Sequence, residues 1–175
     1  VSNWIVGTHP VKAVGVGGRI ERTSPDYGHI YDHFAIDFEY ENGVTMLSMC
    51  RQMNDTARYV GEKISGSKGQ AEMTGKRFVI TGPNKMRIRD KGANPYVQEH
   101  TDLINSIRNG TPLNESQGVA EATMTAIMGR EAAYSGQEIT WDQMMASNLD
   151  LTPGAYDFGS LSTPAVPIPG KYKFM

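Results

Sequence analysis

The chain has 175 residues, a length that suits one domain with one buried core. Its formal net charge is −2. No basic stretch is available to neutralise phosphates, so we expect no nucleic acid among its partners. No apolar run approaches the roughly 20 residues that a transmembrane helix needs, so we also expect no membrane span.

The first seven residues predict the last turns of a helix. Trp4 and Ile5 are apolar, Gly7 can end a helix, and Pro10 follows three residues later. Because the chain opens at the end of a helix, we expect it to continue a longer polypeptide.

Residues 11–21 predict a strand that is interrupted by Gly15, Gly17 and Gly18. A dinucleotide-binding loop would need a third glycine where Ile20 stands and a helix directly afterwards, and residues 23–28 instead form a turn-rich segment. We therefore predict that the glycines allow close packing and that this stretch binds no cofactor.

Residues 30–53 predict a hairpin, because Asn42-Gly43 is typical of a two-residue type I′ turn. That turn would pair Glu41 with Val44 and His33 with Gln52. The predicted core face is Phe34, Ile36, Phe38, Tyr40, Leu47 and Met49, and the predicted polar face is Tyr31, His33, Asp37, Glu39, Ser48 and Gln52. The polar face would meet water, a ligand or another subunit.

Four further strands are predicted at 59–65, 70–73, 77–81 and 85–89, followed by helices. Apolar residues recur at helical spacing from Tyr96 to Ile107, and a longer helix is predicted from Asn114 to Ser135, with Asn114 as its cap and Gln117 reaching back. A short helix is predicted at 141–147. Strands followed by helices indicate an α+β domain over 1–150, with an open, mainly antiparallel sheet and helices packed on one face.

Residues 151–175 predict an extended arm. Four prolines prevent regular structure, while Tyr156, Phe158, Tyr172 and Phe174 favour packing on a surface. That surface would belong to this domain, to a preceding domain or to a partner subunit.

The strongest candidate site lies on the polar side of the hairpin. His29 and His33 would be about 13 Å apart on a strand, too far to share a metal ion, so no metal site is predicted. The polar side chains instead suit a hydroxylated ligand. The predicted substrate contacts are Tyr31, His33, Arg51 and Gln52, followed by His9, Arg19 and Asp32. None is assigned a catalytic role. Asp32 would be buried with a partner such as Arg51, or lie at a pocket rim.

Three segments carry a family resemblance: SNWIVGTHPVKAVGVGGR, YGHIYDHFAIDFEYENGV and GVAEATMTAIMGREAAYSGQEITWDQ. They resemble the C-terminal domain of Gfo/Idh/MocA oxidoreductases. The resemblance implies a preceding Rossmann domain that holds NAD or NADP, a sheet face that forms a homo-oligomer, and a small sugar-like substrate. The family's cofactor loop and catalytic lysine match no residue of this chain, so no catalytic residue is assigned and no cofactor is expected on this stretch alone.

The resemblance predicts a substrate-binding and oligomerisation domain of an NAD(P)-dependent dehydrogenase that acts on a sugar or related polyol. Two alternatives stay open. One is a domain of an NAD-using glycosidase of the same family, and the other is a non-enzymatic carbohydrate-binding or assembly module. The similarity to a bacterial subgroup with exported members favours export over a cytoplasmic location.

Overall fold

The computed structural model describes residues 1–75, 77–89, 92 and 94–174. They form two compact units, Val1–Asn54 with Glu115–Met175, and Asp55–Asn114. Each unit contains a four-stranded antiparallel sheet and α-helix, so the predicted α+β class is confirmed. The predicted division of the chain at residue 150 stays a prediction.

The first unit has a sheet with the strand order β3-β2-β1-β8. Its elements are α1 (Ser2–Val6), β1 (Pro10–Gly18), a short 3-10 helix (Pro25–Tyr27), β2 (His33–Tyr40), β3 (Thr45–Arg51), α3 (Ser116–Ser135), β8 (Ile139–Thr140) and α4 (Trp141–Ala146). Gly7 ends α1 in the left-handed conformation, at a φ of 86°, as predicted.

The hairpin of β2 and β3 forms, but its predicted register is wrong by one residue. Asp37 pairs with Leu47 and His33 with Arg51. The turn is closed by bonds from Gly43 N to Tyr40 O and from Tyr40 N to Val44 O, each 2.9 Å. Only Gly43 of the turn has a positive φ, 78°, whereas a type I′ turn needs two such residues. A three-residue loop therefore replaces the predicted two-residue one.

The register shift turns the side chains of β3 to the opposite faces of the sheet. Leu47 and Met49, predicted in the core, are 65% and 71% exposed. Met46 packs against the core in their place. The predicted core residues of β2 keep their face, and Ile36, Phe38 and Tyr40 are buried.

Helix α3 covers the inner face of this sheet. Met128, Ala132 and Ala133 are fully buried against β1 and β2. Gly136 ends the helix at a φ of 68°, as predicted. The predicted capping box is wrong, because the N-cap position is Glu115 without a side-chain capping bond, and Gln117 donates to Glu121 instead, at 2.7 Å.

The C-terminal part of the predicted arm packs on the first unit. Val166, Tyr172 and Phe174 contact the core cluster, and Gly170 N donates to Ser135 O at 2.8 Å. The last residue of the predicted arm, Met175, lies outside the described residues.

The second unit has a sheet with the order β4-β5-β6-β7 and one helix. Its elements are β4 (Gly61–Gly66), β5 (Gly69–Thr74), β6 (Arg77–Thr81), β7 (Met86–Arg89) and α2 (Pro95–Arg108), close to the predicted bounds. The apolar stripe of α2 is exposed, including Tyr96, Leu103 and Ile107. In the described parts of both units, no helix has the length and apolar character required to cross a membrane.

Candidate functional site

One end of the first sheet brings three strand termini side by side. β1 ends at Gly18, β2 begins at His33 and β3 ends at Arg51, and His33 is in register with the other two residues. Residues 19–32 connect β1 to β2 and fold over this end. We call residues 19–28 the connecting loop.

Arg19 holds the connecting loop closed from within. Its guanidinium group donates to three backbone carbonyl oxygens: that of Arg22 through Nε, that of Gly28 at 2.6 Å, and that of Ser24 at 2.6 Å. A planar guanidinium presents several donors in fixed directions, which suits a loop whose carbonyl groups converge. The predicted ligand contact of Arg19 stays a prediction, and its hydrogen bonds in the structure are to the backbone.

Asp32 fixes the other side of the loop. It is 2% exposed, and its Oδ2 accepts from the backbone N–H groups of Ile20, Glu21 and Arg22 at 2.8, 2.7 and 3.0 Å. Burial by itself would raise the pKa of Asp32, but the bonds from Arg22 N, from His33 and from the other two amides outweigh it and hold the pKa well below its usual range. Asp32 is therefore an ionised carboxylate inside a cradle of amides.

The second oxygen of this carboxylate orients His33. Asp32 Oδ1 lies 2.8 Å from His33 Nδ1, and the His33 side chain is 33% exposed. The imidazole ring packs over Gly18, where an added Cβ would come within 3.1 Å of its Cε1. The bare backbone at Gly18 thus leaves room for the ring, in agreement with the predicted role of the glycines.

Other polar groups surround this pair at the surface. Arg22 donates from Nε to Gln52 O at 2.9 Å and from a terminal nitrogen to Gln52 Oε1 at 3.4 Å. The carboxylate of Glu21 accepts from Asn54 N at 3.0 Å. These bonds tie the connecting loop to the residues that follow β3. Five predicted residues, Arg19, Asp32, His33, Arg51 and Gln52, therefore meet at one end of the sheet.

Tyr31 does not lie on the polar face as predicted. It is 5% exposed and belongs to the core, where its ring contacts that of Tyr134 edge-on at 4.7 Å, and its hydroxyl donates to Pro167 O at 2.9 Å. The alternation of a strand applies only from His33, where β2 begins. Tyr31 precedes the strand, so the expected alternation does not extend to it.

His9 lies at the opposite end of β1 from His33. The nine residues of β1 span about 26 Å at about 3.3 Å per residue. The His9 ring stacks on Trp141 with centroids 3.7 Å apart, and its Nδ1 lies 3.1 Å from Pro10 O. The structure does not bring His9 to the other predicted residues.

Sequence reasoning missed two groups that shape the first unit. The amides of residues 20–22 carry no side-chain signal. Glu131 is 1% exposed inside α3 and pairs with the guanidinium of Arg130 at 2.7 Å and with the Tyr172 hydroxyl at 2.7 Å. A charged residue on the buried side of an otherwise small-residue helix was the available signal for Glu131.

Neighbouring atoms occupy the space beside two of the glycines of β1. A Cβ on Gly15 would lie 2.3 Å from Ile36 Cδ1, and one on Gly17 would lie 2.6 Å from His33 O. Within residues 1–75, 77–89, 92 and 94–174, no group of three or more His, Cys, Asp or Glu side chains is placed to hold a metal ion.

The fold is that of a part of known oxidoreductases. No protein-family profile and no curated protein matches the chain. Among solved structures, the aldose-aldose oxidoreductase from Caulobacter crescentus, complexed with glycerol, matches 79% of this chain with a TM-score of 0.63 at 17% identity. An oxidoreductase from Agrobacterium radiobacter, in complex with NAD+, L-tartaric acid and magnesium, matches 83% with a TM-score of 0.59 at 16% identity.

An oxidoreductase from Thermotoga maritima matches 82% of the chain with a TM-score of 0.61 at 17% identity. This chain spans 43%, 46% and 41% of the three proteins in the order given. It therefore shares the fold of a portion, less than half, of several oxidoreductases.

Proposed function

We propose that this chain is the substrate-binding and oligomerisation domain of a Gfo/Idh/MocA-type, NAD(P)-dependent oxidoreductase that acts on a sugar or related polyol. The observation that carries the proposal is the fold match, in which most of this chain corresponds to less than half of each oxidoreductase. The part of each neighbour that this chain does not span leaves room for a separate cofactor-binding domain.

The ligands of the neighbours support the substrate class. Glycerol and L-tartaric acid are both small molecules with adjacent hydroxyl groups, and the second accompanies NAD+. In a dehydrogenase of this kind the bound nicotinamide supplies the hydride acceptor. The role of this chain is to bind and orient the hydroxylated carbon chain.

His33, Arg51 and Gln52 are the proposed substrate contacts, with Asp32 and Arg19 supporting them. All five lie at one end of the sheet, in or beside the connecting loop, which is closed by side-chain-to-backbone bonds. A site with several preset donors and acceptors suits a polyol, because each hydroxyl group both donates and accepts.

The outer face of the first sheet is the proposed contact with a second copy of the chain. Exposed apolar side chains lie there on β1 and β3, the two strands that flank β2: Val14, Val16, Leu47 and Met49. Lys12 pairs with Glu39 at 3.1 Å and with Glu138 at 3.3 Å beside them. An apolar patch with a polar edge is the usual composition of a subunit interface.

The proposal is tested with the complete protein, including any residues encoded upstream of Val1. We expect calorimetry to show NAD or NADP binding, and reduction of the cofactor when aldoses and polyols are supplied. Residues 1–175 alone are expected to bind neither cofactor. Failure of the complete protein to bind NAD or NADP would overturn the proposal. Release of a sugar from a glycoside without net cofactor reduction would instead favour a glycosidase.

A further inference from the structure

The bond between Asp32 and His33 determines where the neutral imidazole keeps its proton. Asp32 is ionised and has no proton to donate, so its Oδ1 can only accept. His33 Nδ1, 2.8 Å away, must therefore carry the proton. In the neutral ring the other nitrogen, Nε2, is left with a lone pair and acts only as an acceptor.

The described residues leave Nε2 available. None of the described residues forms a hydrogen bond with Nε2, and the contact of His33 with Asp32 uses Nδ1. Nε2 is also not one of the atoms that are buried without a partner. The side chain as a whole is one-third exposed. The acceptor therefore faces solvent at the end of the sheet.

The His33 ring is bounded on two sides. Its Nδ1 lies against Asp32, which is itself fixed by three backbone amides, and Gly18 lies beneath the ring. The contact with Asp32 therefore fixes the direction of the Nε2 lone pair, as a preorganised binding site requires.

We infer that His33 Nε2 accepts a hydrogen bond from a hydroxyl group of a neutral polyol, and that Asp32 is the positioning residue that keeps Nε2 an acceptor. This inference rests on the proposed function and adds the atom that contacts the ligand, the residue that positions it and the neutral charge of the ligand. A lone pair at Nε2 favours hydroxyl donors and disfavours carbonyl and carboxylate oxygens, which also only accept.

The charged groups around the ring agree with a neutral ligand. Arg19 is occupied by three carbonyl oxygens of the connecting loop. Arg22 donates to Gln52 and lies over the Tyr27 ring at 5.1 Å. The Glu21 carboxylate lies in the same loop.

The first test reads the proton position directly. The complete protein with 15N-labelled histidine is studied by long-range 15N–1H NMR, and His33→Asn identifies the His33 signals. We expect the proton of the neutral ring on Nδ1, and a change in the Nε2 shift on addition of sorbitol. A neutral ring protonated on Nε2 would overturn the inference.

The second test changes the acceptor. Asp32→Asn keeps an oxygen for the three amides but turns an NH2 group toward Nδ1, so the His33 proton moves to Nε2 and the acceptor is lost. His33→Asn leaves the Nδ1 position but removes Nε2, whereas His33→Gln extends an amide oxygen to the position of Nε2. His100→Asn, on the exposed face of α2, is the matched control.

Affinity for sorbitol is measured by calorimetry on the complete protein saturated with NAD+. We expect about tenfold weaker binding for Asp32→Asn and His33→Asn, which is the loss of one hydrogen bond. His33→Gln should stay within about threefold of the wild type, and His100→Asn should not change. If Asp32→Asn does not fold, the comparison of sorbitol affinity between His33→Asn and His33→Gln tests the inference.

Equal sorbitol affinity of His33→Asn and the wild type would overturn the inference, and so would absence of sorbitol binding. In either case nicotinamide-dependent oxidation of any polyol would leave the proposed function standing. Conversely, a change in the Nε2 shift on addition of sorbitol, in a complete protein that binds neither NAD nor NADP, would overturn the proposed function alone.

Discussion

Two side chains, Arg19 and Asp32, replace regular backbone pairing in the connecting loop. Arg19 donates hydrogen bonds to three backbone carbonyl oxygens. Asp32 accepts hydrogen bonds from three backbone N–H groups. A loop without strand or helix bonds must satisfy its backbone groups in another way, since unpaired polar groups are costly when shielded from water. The shape of the loop beside His33 therefore depends on one guanidinium and one carboxylate.

Arg19→Lys tests this dependence. A lysine keeps the charge but cannot reach three carbonyl groups with a planar fork, so we expect the free energy of unfolding to fall by about 1–3 kcal/mol. Urea denaturation measures the loss, and hydrogen exchange should quicken at the amides of Ile20, Glu21 and Arg22. The control Arg58→Lys, at an exposed position, should stay within about 0.5 kcal/mol of the wild type. Unchanged hydrogen exchange at these amides in Arg19→Lys would show that the loop does not depend on the Arg19 guanidinium group.

The packing of α3 on the sheet depends on the small residues at its contact with β2. A Cβ on Gly129 would lie 2.7 Å from Phe38 Cζ and 3.3 Å from Ile36 Cγ2. Phe38 is buried in the core and cannot swing away. The helix therefore approaches the sheet to a distance that only glycine allows at this position.

Gly129→Ala is expected to destabilise the protein by about 1–3 kcal/mol through overpacking. Gly118→Ala in the same helix is the matched control, because a Cβ there meets nothing within 4 Å. That control should be neutral or gain up to about 1 kcal/mol from helix propensity. Thermal unfolding of both variants measures the difference, and equal melting temperatures would contradict a tight helix–sheet contact.

The hairpin shows which features of an element are readable from sequence. The alternating apolar residues of β2 correctly predicted its buried face. The register of β3 depended on the turn, and Asn42-Gly43 suits a two-residue loop as well as a longer one that ends in glycine. The conformation of Asn42 decided between the two loops, and single-residue propensity does not determine it.

The candidate site was predictable only in part. Polar residues at the ends of β2 and β3 indicated where His33, Arg51 and Gln52 would lie. Asp32 was predicted as buried or at a pocket rim, and the structure has it buried. Its main partners are backbone amides of residues 20–22, which have no sequence signature because the path of an irregular loop has no period. Tyr31 was misplaced because alternation was extended beyond the start of the strand.

At the scale of the whole molecule, the C-terminal segment completes the core of the first unit. Tyr172 crosses to α3 and donates to Glu131, a carboxylate that is buried beside Arg130. Burial and the bond to Glu131 raise the pKa of Tyr172 to about 12. Residues that are distant in sequence thereby share one buried polar cluster.

Tyr172→Phe removes the donor and leaves Glu131 Oε2 without it, so we expect a loss of about 1–3 kcal/mol near neutral pH. The folded pKa is raised above the usual value of about 10, so the stabilisation is complete below about pH 10 and is lost as the pH rises through about 12. Denaturant unfolding of the two proteins should therefore differ near neutrality and converge at high pH. The exposed Tyr156→Phe should match the wild type at every pH, and a constant gap for Tyr172→Phe would contradict the proposed linkage.

The proposed subunit contact gives a test on the complete protein. Leu47→Lys with Met49→Lys places two charges on the outer face of the sheet, and we expect the dissociation constant of the oligomer to rise at least about 100-fold. Light scattering after gel filtration measures the mass. Leu161→Lys, at another exposed leucine, is the control and should leave the mass unchanged. An unaltered mass of the double variant would exclude this face as the contact.

Because residues 166–174 pack on the core, we expect the first unit to keep its fold when the chain is cut before them. Residues 166–174 hold their place through the core contacts of Val166, Tyr172 and Phe174, while residues 154–162 are exposed. A cut within 154–162 would leave a short peptide bound to the remainder without a covalent link. We expect a synthetic peptide of residues 166–174 to restore the unit when it is added to a truncated protein. A fluorinated tyrosine at position 172 of the peptide would then report on the buried cluster around Glu131.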